Sequence, residues 1–383
     1  MSEPSGEVLL TPGVRPIEGR IETAEAAASR AAELARRAAN AGTFGVGGFL
    51  MDRSGRILAE AVNAVIRKGK ISDPTAHVER QLIDWLFSTH GRHVQPQELV
   101  VVTSLDPCAM CAGAILSAGL NAVALAEDAM SGVHEHQCPH RMPEELRPRA
   151  EASMGFFDVI GRPGRADHIS PVLAGKVPRK TLMAAEDSFK LSLDTTRAKF
   201  AGAHSKPRQT SRSKVDLSAL TSIAGIGDTA FLPQTGTTLH SAQVTGSLDA
   251  LLADAAAVIV DGDRNLLLGA KDRRSVSPAR SSVLELVRAY AQLARLAPEH
   301  LGFSLPHPRH CSIVKQNAPH DAALALLEFG ALGSFLEGPH LLADLPALGY
   351  IDSRDGAQAQ RFLASLPPLY TSVIGITTGP VLA

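Results

Sequence analysis

Cysteine is scarce, with four residues in a chain of 383: Cys108, Cys111, Cys138 and Cys311. So few thiols exclude a disulfide scaffold and point to a reducing compartment. Long hydrophobic runs are missing too, since nowhere do about 18 apolar residues follow one another. Met1 to Gly19 carries acidic, proline and glycine residues and no apolar stretch of the secretory kind. The expected location is the cytoplasm, with no membrane partner. The third absence is an excess of either charge. With 38 Lys and Arg against 39 Asp and Glu, a net charge of −1, the chain as a whole has no electrostatic claim on nucleic acid, and any basic surface must be local.

What is present suffices for a packed core: 45% of residues are hydrophobic and 20% charged. The length predicts two or three domains. The most specific pattern is a pair of short segments, His77-Val78-Glu79 and Pro107-Cys108-Ala109-Met110-Cys111. One imidazole and two thiolates are the donors zinc takes in a tetrahedral site, and a catalytic site keeps its fourth position for water. His77, Cys108 and Cys111 are therefore the candidate metal ligands. The metal lowers the pKa of that water to about 7. Glu79 is then the candidate catalytic residue, taking the proton of that water and delivering it to the group that leaves.

Local order supports this reading. Asp73-Pro74 precedes a predicted helix from Thr75 to Trp85, which places His77 and Glu79 in its first turn. The apolar run Leu99 to Thr103 predicts a strand, and Cys108 and Cys111 open the helix after it. Residues three apart share a helix face, so both thiols can reach one ion. Helix N-termini also favour thiolate and carboxylate over their protonated forms.

The H-x-E and P-C-x-x-C segments are the signature of the zinc-dependent nucleobase deaminases, and the chain resembles that family from about Glu22 to Glu127. Asp73-Pro74-Thr75-Ala76-His77 and Pro107 through Ile115 resemble the corresponding stretches of bacterial tRNA adenosine deaminase, and the first also resembles guanine deaminase. The resemblance implies a zinc cofactor and makes Asn63, in the loop before the zinc helix, a substrate-binding residue; the alternative for Asn63 is a turn cap. Three positions depart from the pattern. Val78 replaces the usual Ala, Asp106 the Glu usual in the RNA adenosine enzymes, and Ala109 a position where Pro is common. None removes a ligand or the proton shuttle, but they loosen the substrate assignment.

Along the chain, an N-terminal tail is expected over 1–20, followed by a catalytic domain over 21–190. In that domain an Ala-rich helix from Glu22 to Asn40 precedes strands Gly45 to Met51 and Arg56 to Ala61, joined by a polar turn. The zinc helix, the strand from Leu99, the Cys helix and a strand from Asn121 to Ala126 complete a three-layer α/β/α sandwich. The segment 216–383 echoes this plan without its chemistry. Strands are predicted at Ala256 to Asp261 and Asn265 to Ala270, and Pro278 to Val283 aligns with Pro74 to Glu79, so Ser281 stands for His77 and Val283 for Glu79. Equating Gly330 with Gly119 puts Pro319 opposite Cys108 and Ala322 opposite Cys111. The expectation is a second, degenerate deaminase-like domain, the two in tandem forming an internal pseudo-dimer or associating as a homodimer.

Between the halves, 191–215 reads as a basic Ser/Pro-rich linker, a candidate for phosphate contacts or a plain solvated hinge. His134, His136, Cys138 and His140 alternate in one short loop and offer a second metal site, a pocket lining or an ordinary surface. The expected reaction is adenosine-to-inosine deamination in tRNA, with deamination of a free guanine, cytosine or cytidine compound as the alternative.

Overall fold

Thr23 starts the first helix by accepting a hydrogen bond from the Ala26 amide at 3.1 Å. That helix, α1 (Ala24–Asn40), buries a stripe of alanines, Ala27, Ala31, Ala35 and Ala38 among them, with nothing larger than Leu34 to hold it off the sheet. In the computed structural model the described residues are 11–90, 94–134, 140–200, 230–231, 257–261, 266–300, 305, 308, 311–315, 321–336, 348–352 and 356–378. Strand β1 (Val14–Arg20) precedes α1, and β2 (Gly47–Asp52) and β3 (Arg56–Val62) follow as a hairpin. Asp52 ties the hairpin turn by accepting from the Ser54 and Arg56 amides. The short strands β4 (Ile66–Arg67) and β5 (Lys70–Ile71) precede α2 (Val78–His90), β6 (Leu99–Leu105), α3 (Ala109–Ala118) and β7 (Asn121–Ala126). After these come α4 (Arg147–Ser153), β8 (Met154–Phe156), β9 (Asp158–Val159), α5 (Ala166–Ile169), β10 (Lys176–Val177) and α6 (Arg179–Phe200).

The main sheet has the order β1-β3-β2-β6-β7-β8, antiparallel as far as β6 and parallel beyond it. Adjacent residues of β2 show that both faces are covered. A side chain at Gly47 would strike Leu34 of α1, and one at Gly48 would meet Val78 of α2. Every residue of β6 is buried, as a central strand between two helical layers requires. The result is the expected mixed α/β sheet flanked by helices.

Two boundaries differ from expectation. Residues 14–20, assigned to a tail, form β1 on the sheet edge, where Arg15 reaches buried Glu60 at 2.5 Å. Residues 191–200, assigned to the linker, continue α6, because Ser192 and Thr196 lie on its buried side, with Lys199 exposed and Arg197 half-buried against Met130. The remainder of the proposed linker lies outside the described residues.

The later elements are β11 (Ala230–Phe231), β12 (Ala257–Asp261), β13 (Leu266–Ala270), α7 (Ser282–His300), β14 (Cys311–Lys315), α8 (Ala322–Leu336), β15 (Leu348–Asp352), α9 (Gly356–Ala364), α10 (Pro368–Val373) and β16 (Ile374–Thr378). They build a second six-stranded sheet, β11-β13-β12-β14-β15-β16, with the same strand directions, position for position, as the first. Each sheet also has a register shift at the matching point of its hairpin, between Leu50 and Met51 and between Ile259 and Val260.

Helices α3 and α8 pack together at two glycines. A side chain at Gly113 would strike Leu327, and one at Gly330 would strike Met110. The step in sequence from Gly113 to Gly330 equals that from Met110 to Leu327, so the contact is two-fold. This corrects the alignment through Gly330. Gly119 ends α3 in the left-handed region at φ 69°, whereas Gly330 sits within a helix and is small for close approach. The two-fold register instead puts Ala325 opposite Cys108 and Glu328 opposite Cys111. Pro319 lies outside the described residues. Lys315 occupies the strand position of Thr103, pairing with Ala257 as Thr103 pairs with Gly48, and its Nζ lies 2.5 and 2.6 Å from the two carboxylate oxygens of Glu328.

Candidate active site

The loop ahead of α2 is held from several sides, and that is what places His77. Asp73 Oδ1 accepts from the Thr75 amide at 2.8 Å and the Thr75 hydroxyl at 2.7 Å. Gln81, one turn into α2, donates from Nε2 to the Ala76 carbonyl at 2.8 Å. His77 therefore precedes the first turn rather than lying in it, while Glu79 is in that turn and buried. Cys108 is the N-cap residue of α3, and Cys111 lies within its first turn.

The structure brings the three expected ligands together: their donor atoms lie within 4.8 Å of one another. Tetrahedral zinc, with metal–nitrogen and metal–sulfur distances of about 2.0 and 2.3 Å, holds a nitrogen and a sulfur about 3.5 Å apart and two sulfurs about 3.8 Å apart. His77 Nδ1 lies 3.5 Å from Cys108 Sγ. Burial pushes the Cys111 thiol well above its ordinary range, and Cys108 and Glu79 push it further. Two thiols and a carboxylate enclosed together need a cation before they can all ionise, and a zinc ion reverses the local preference. The donor set thus fits zinc in both spacing and charge. Among the described residues this is the one cluster of that kind.

Glu79 is oriented by Thr103, whose hydroxyl donates to Oε1 at 2.6 Å. Asn63 caps its turn and lines the cavity. Its Oδ1 accepts from the Val65 amide at 3.0 Å and the Thr43 hydroxyl at 2.7 Å, which caps the turn. Because the Val65 amide can only donate, the atom of Asn63 that faces it is the side-chain oxygen. Asn63, His77, Glu79, Cys108 and Cys111 all line one cavity of about 60 Å³.

Several residues of the cavity carry no local sequence signal. Phe189 and Leu193 come from α6, and Leu369 comes from α10 of the second half. Asp106 and Asp128 line it also. Asp106 accepts from the His134 amide at 3.0 Å and pairs with His134 Nδ1 at 2.6 Å. Burial holds the Asp106 carboxyl above its ordinary value, against the pull of His134. His134 is thus a buried partner of a cavity residue, packed edge-on against Phe156 at 5.2 Å between ring centroids. His140 is exposed, and His136 and Cys138 lie outside the described residues. Among the described residues, no helix is long and apolar enough to cross a membrane.

Residues 21–127 match the cytidine and deoxycytidylate deaminase zinc-binding region. The chain is 32% identical over 146 residues to guanine deaminase of Bacillus subtilis (strain 168), covering 38% of this chain and 88% of that protein. Among solved structures, one from studies of A-to-I editing by tRNA:A34 deaminases at the wobble position of transfer RNA is 26% identical, over 27% of this chain and 76% of that one, with a TM-score of 0.23. Guanine deaminase from Nitrosomonas europaea is 16% identical, over 51% and 93% of the two chains, with a TM-score of 0.28. With its zinc-type donor set and a sequence that covers nearly the whole of a guanine deaminase at this identity, the chain belongs to the cytidine and deoxycytidylate deaminase family of zinc-binding, hydrolytic nucleobase and nucleotide deaminases.

Proposed function

We propose that this chain deaminates a free aminopurine base of the guanine class. The observation that carries the reading is the cavity itself: it is small, roofed by Phe189, Leu193 and Leu369, and lined by no described Lys or Arg that would take a phosphate. The similarity to a guanine deaminase supports the same substrate class.

The reaction consumes one water and releases one ammonia, leaving a carbonyl where the amine was. Glu79 takes the proton of the water, passes it to a ring nitrogen, and then protonates the departing amine. Thr103 fixes the carboxylate so that this transfer needs no rotamer search. Zinc, held by His77, Cys108 and Cys111, supplies the Lewis acidity that lowers the pKa of a water to about 7. Asn63 Nδ2 donates to an acceptor on the base edge, and Phe44, Val46 and Leu105 contact its apolar faces.

Adenosine-to-inosine deamination in tRNA is the second reading, favoured by cations on the β4–β5 hairpin and at the end of α6. Arg67, Lys68 and Lys70 are exposed on the β4–β5 hairpin, and Lys199 lies over Gly69. Arg197 Nη2 lies 3.5 Å from the sulfur of Met130, another cavity residue. The internal pseudo-dimer, with 216–383 as a degenerate deaminase-like domain, belongs to either reading, and its support is the shared strand pattern of the two sheets.

Ammonia release by the zinc-loaded chain, measured on guanine, adenine, cytosine and their nucleosides beside inosine sequencing of total tRNA, decides between them. Turnover of guanine without inosine in tRNA is expected. Inosine in tRNA, with binding that weakens steeply as salt rises, would replace the first reading by the second.

A further inference from the structure

The two ligand-bearing loops of the catalytic half are each touched by a side chain from the other half. On the His77 loop, Arg288 of α7 directs Nε to Asp73 Oδ2 at 3.3 Å, and both of these side chains are buried. Asp73 is the residue whose other oxygen holds Thr75, two positions before His77. Beside Cys108, the hydroxyl of Tyr370 in α10 accepts from the Ala109 amide at 3.1 Å. That amide is one of the N-terminal donors that α3 cannot satisfy within itself, and the Cys108 side chain does not cap the helix. The same hydroxyl donates to the Ser131 carbonyl at 3.4 Å, joining the Cys helix to a loop that lines the cavity. Gly333 makes room for the Tyr370 ring, because a side chain there would come within 2.5 Å of it. Leu369, the neighbour of Tyr370, is itself part of the cavity wall.

We propose that the C-terminal half works as a clamp on the metal site: Arg288 and Tyr370 are positioning residues for the His77 and Cys108 loops, and Leu369 is a specificity-determining wall. The proposal rests on the deaminase reading of the site, but its metal arm needs no substrate. A half with no such ligand cluster among its described residues thereby acquires a task. It holds the distance between His77 and the cysteines against the thermal motion of two loops, and through Leu369 it supplies part of the cavity wall. The two kinds of contact predict separable effects, because one acts on the ligands and the other on the bound base.

The experiment uses the zinc-loaded full chain and reads zinc transfer to a chromophoric chelator together with kcat and KM. Tyr370→Phe removes one oxygen and leaves the buried ring in place. It should speed zinc transfer about three- to tenfold, the range expected for one net hydrogen bond, and lower kcat while KM stays within about twofold. Arg288→Met should also speed transfer, and Arg288→Lys should restore much of the difference by keeping a cation near Asp73. Leu369→Ala should leave zinc transfer unchanged and move KM. Zinc transfer within twofold of the parent in both Tyr370→Phe and Arg288→Met overturns the clamp. So does faster transfer that follows only a lower unfolding midpoint and is no slower in Arg288→Lys than in Arg288→Met. A chain that deaminates nothing on any substrate yet shows the zinc pattern keeps the clamp and defeats the deaminase reading.

Discussion

Gly113→Ala places a methyl group where there is no room for one. The added carbon would lie 2.2 Å from the Leu327 amide nitrogen, 2.6 Å from its Cα and 2.7 Å from the Ala323 carbonyl oxygen. All three are backbone atoms of α8 or its first turn, so no side-chain rotation relieves the clash. Reaching ordinary contact at about 3.5 Å requires the two helices to part by roughly 1.3 Å. Alanine favours a helix over glycine by about 1 kcal/mol, while overpacking a rigid interior costs about 1–3 kcal/mol and occasionally more. With backbone on both sides the penalty sits at or above the top of that range, and the net destabilisation should be about 2 kcal/mol or more. For a unit of this size that lowers the thermal midpoint by roughly 4–8 °C. Scanning calorimetry of Gly113→Ala beside Gly330→Ala is the assay. The two should behave alike, since Gly330 meets Met110 across the same two-fold contact. An unchanged midpoint in either variant would refute the packing of α3 on α8 and the register drawn from it.

Glu79→Gln should abolish turnover while zinc stays near one per chain by atomic absorption, because the side chain keeps its shape and its place beside Thr103 but cannot carry a proton. Acid should weaken the joint between the halves. Burial works against ionisation of Asp73 and Glu285, yet Arg80 and Arg288 hold Asp73 below its ordinary value, and Arg288 and Arg280 do the same for Glu285. Both groups therefore contribute stability that is complete above about pH 5, past their unfolded values, and is lost as pH falls through their lower folded values. Urea midpoints of the chelator-treated chain at pH 7, 4 and 3 should show that loss, and Arg288→Met should make it shallower. Lys315→Ala leaves Glu328 buried without its cation and should cost about 3–5 kcal/mol, whereas Lys315→Met combined with Glu328→Leu should recover most of it; equal midpoints for the single and double variants would refute the buried pair.

The metal site was legible because its chemistry is local. His77 and Glu79 lie two residues apart at one helix start, Cys108 and Cys111 three apart at another, and each helix announces itself through a preceding proline or strand. The strands from Asn121 and Leu99 and the hairpin at Asp52 were legible for the same reason. What was not legible depends on distant partners. Leu369 and Tyr370 sit far from the cysteines in sequence, and nothing around Pro367-Pro368 marks them as cavity residues. Gly330 misled because a glycine has two uses, a left-handed helix end and a close approach, and the letter does not distinguish them. Residues 191–200 read as linker because they run into a basic, Ser/Pro-rich stretch, while the buried side of α6 here is carried by small polar residues, Ser192 and Thr196, that a hydrophobic pattern passes over.

The two-fold contact between α3 and α8 is made within one polypeptide, and that changes what a substitution can do. In a pair of identical chains, any replacement at such a contact is made twice and strikes both sites together. Here Gly113 and Gly330 are separate positions, so one side can vary while the other is kept. The same freedom lets Lys315 and Glu328 form an internal ion pair at the place corresponding to the metal end of the first half, with His77, Cys108 and Cys111 untouched. Dilution also loses its hold. Because the halves are tethered, their association is set by an effective concentration rather than by the amount of protein, and the cavity wall contributed by Leu369 persists at any cellular abundance.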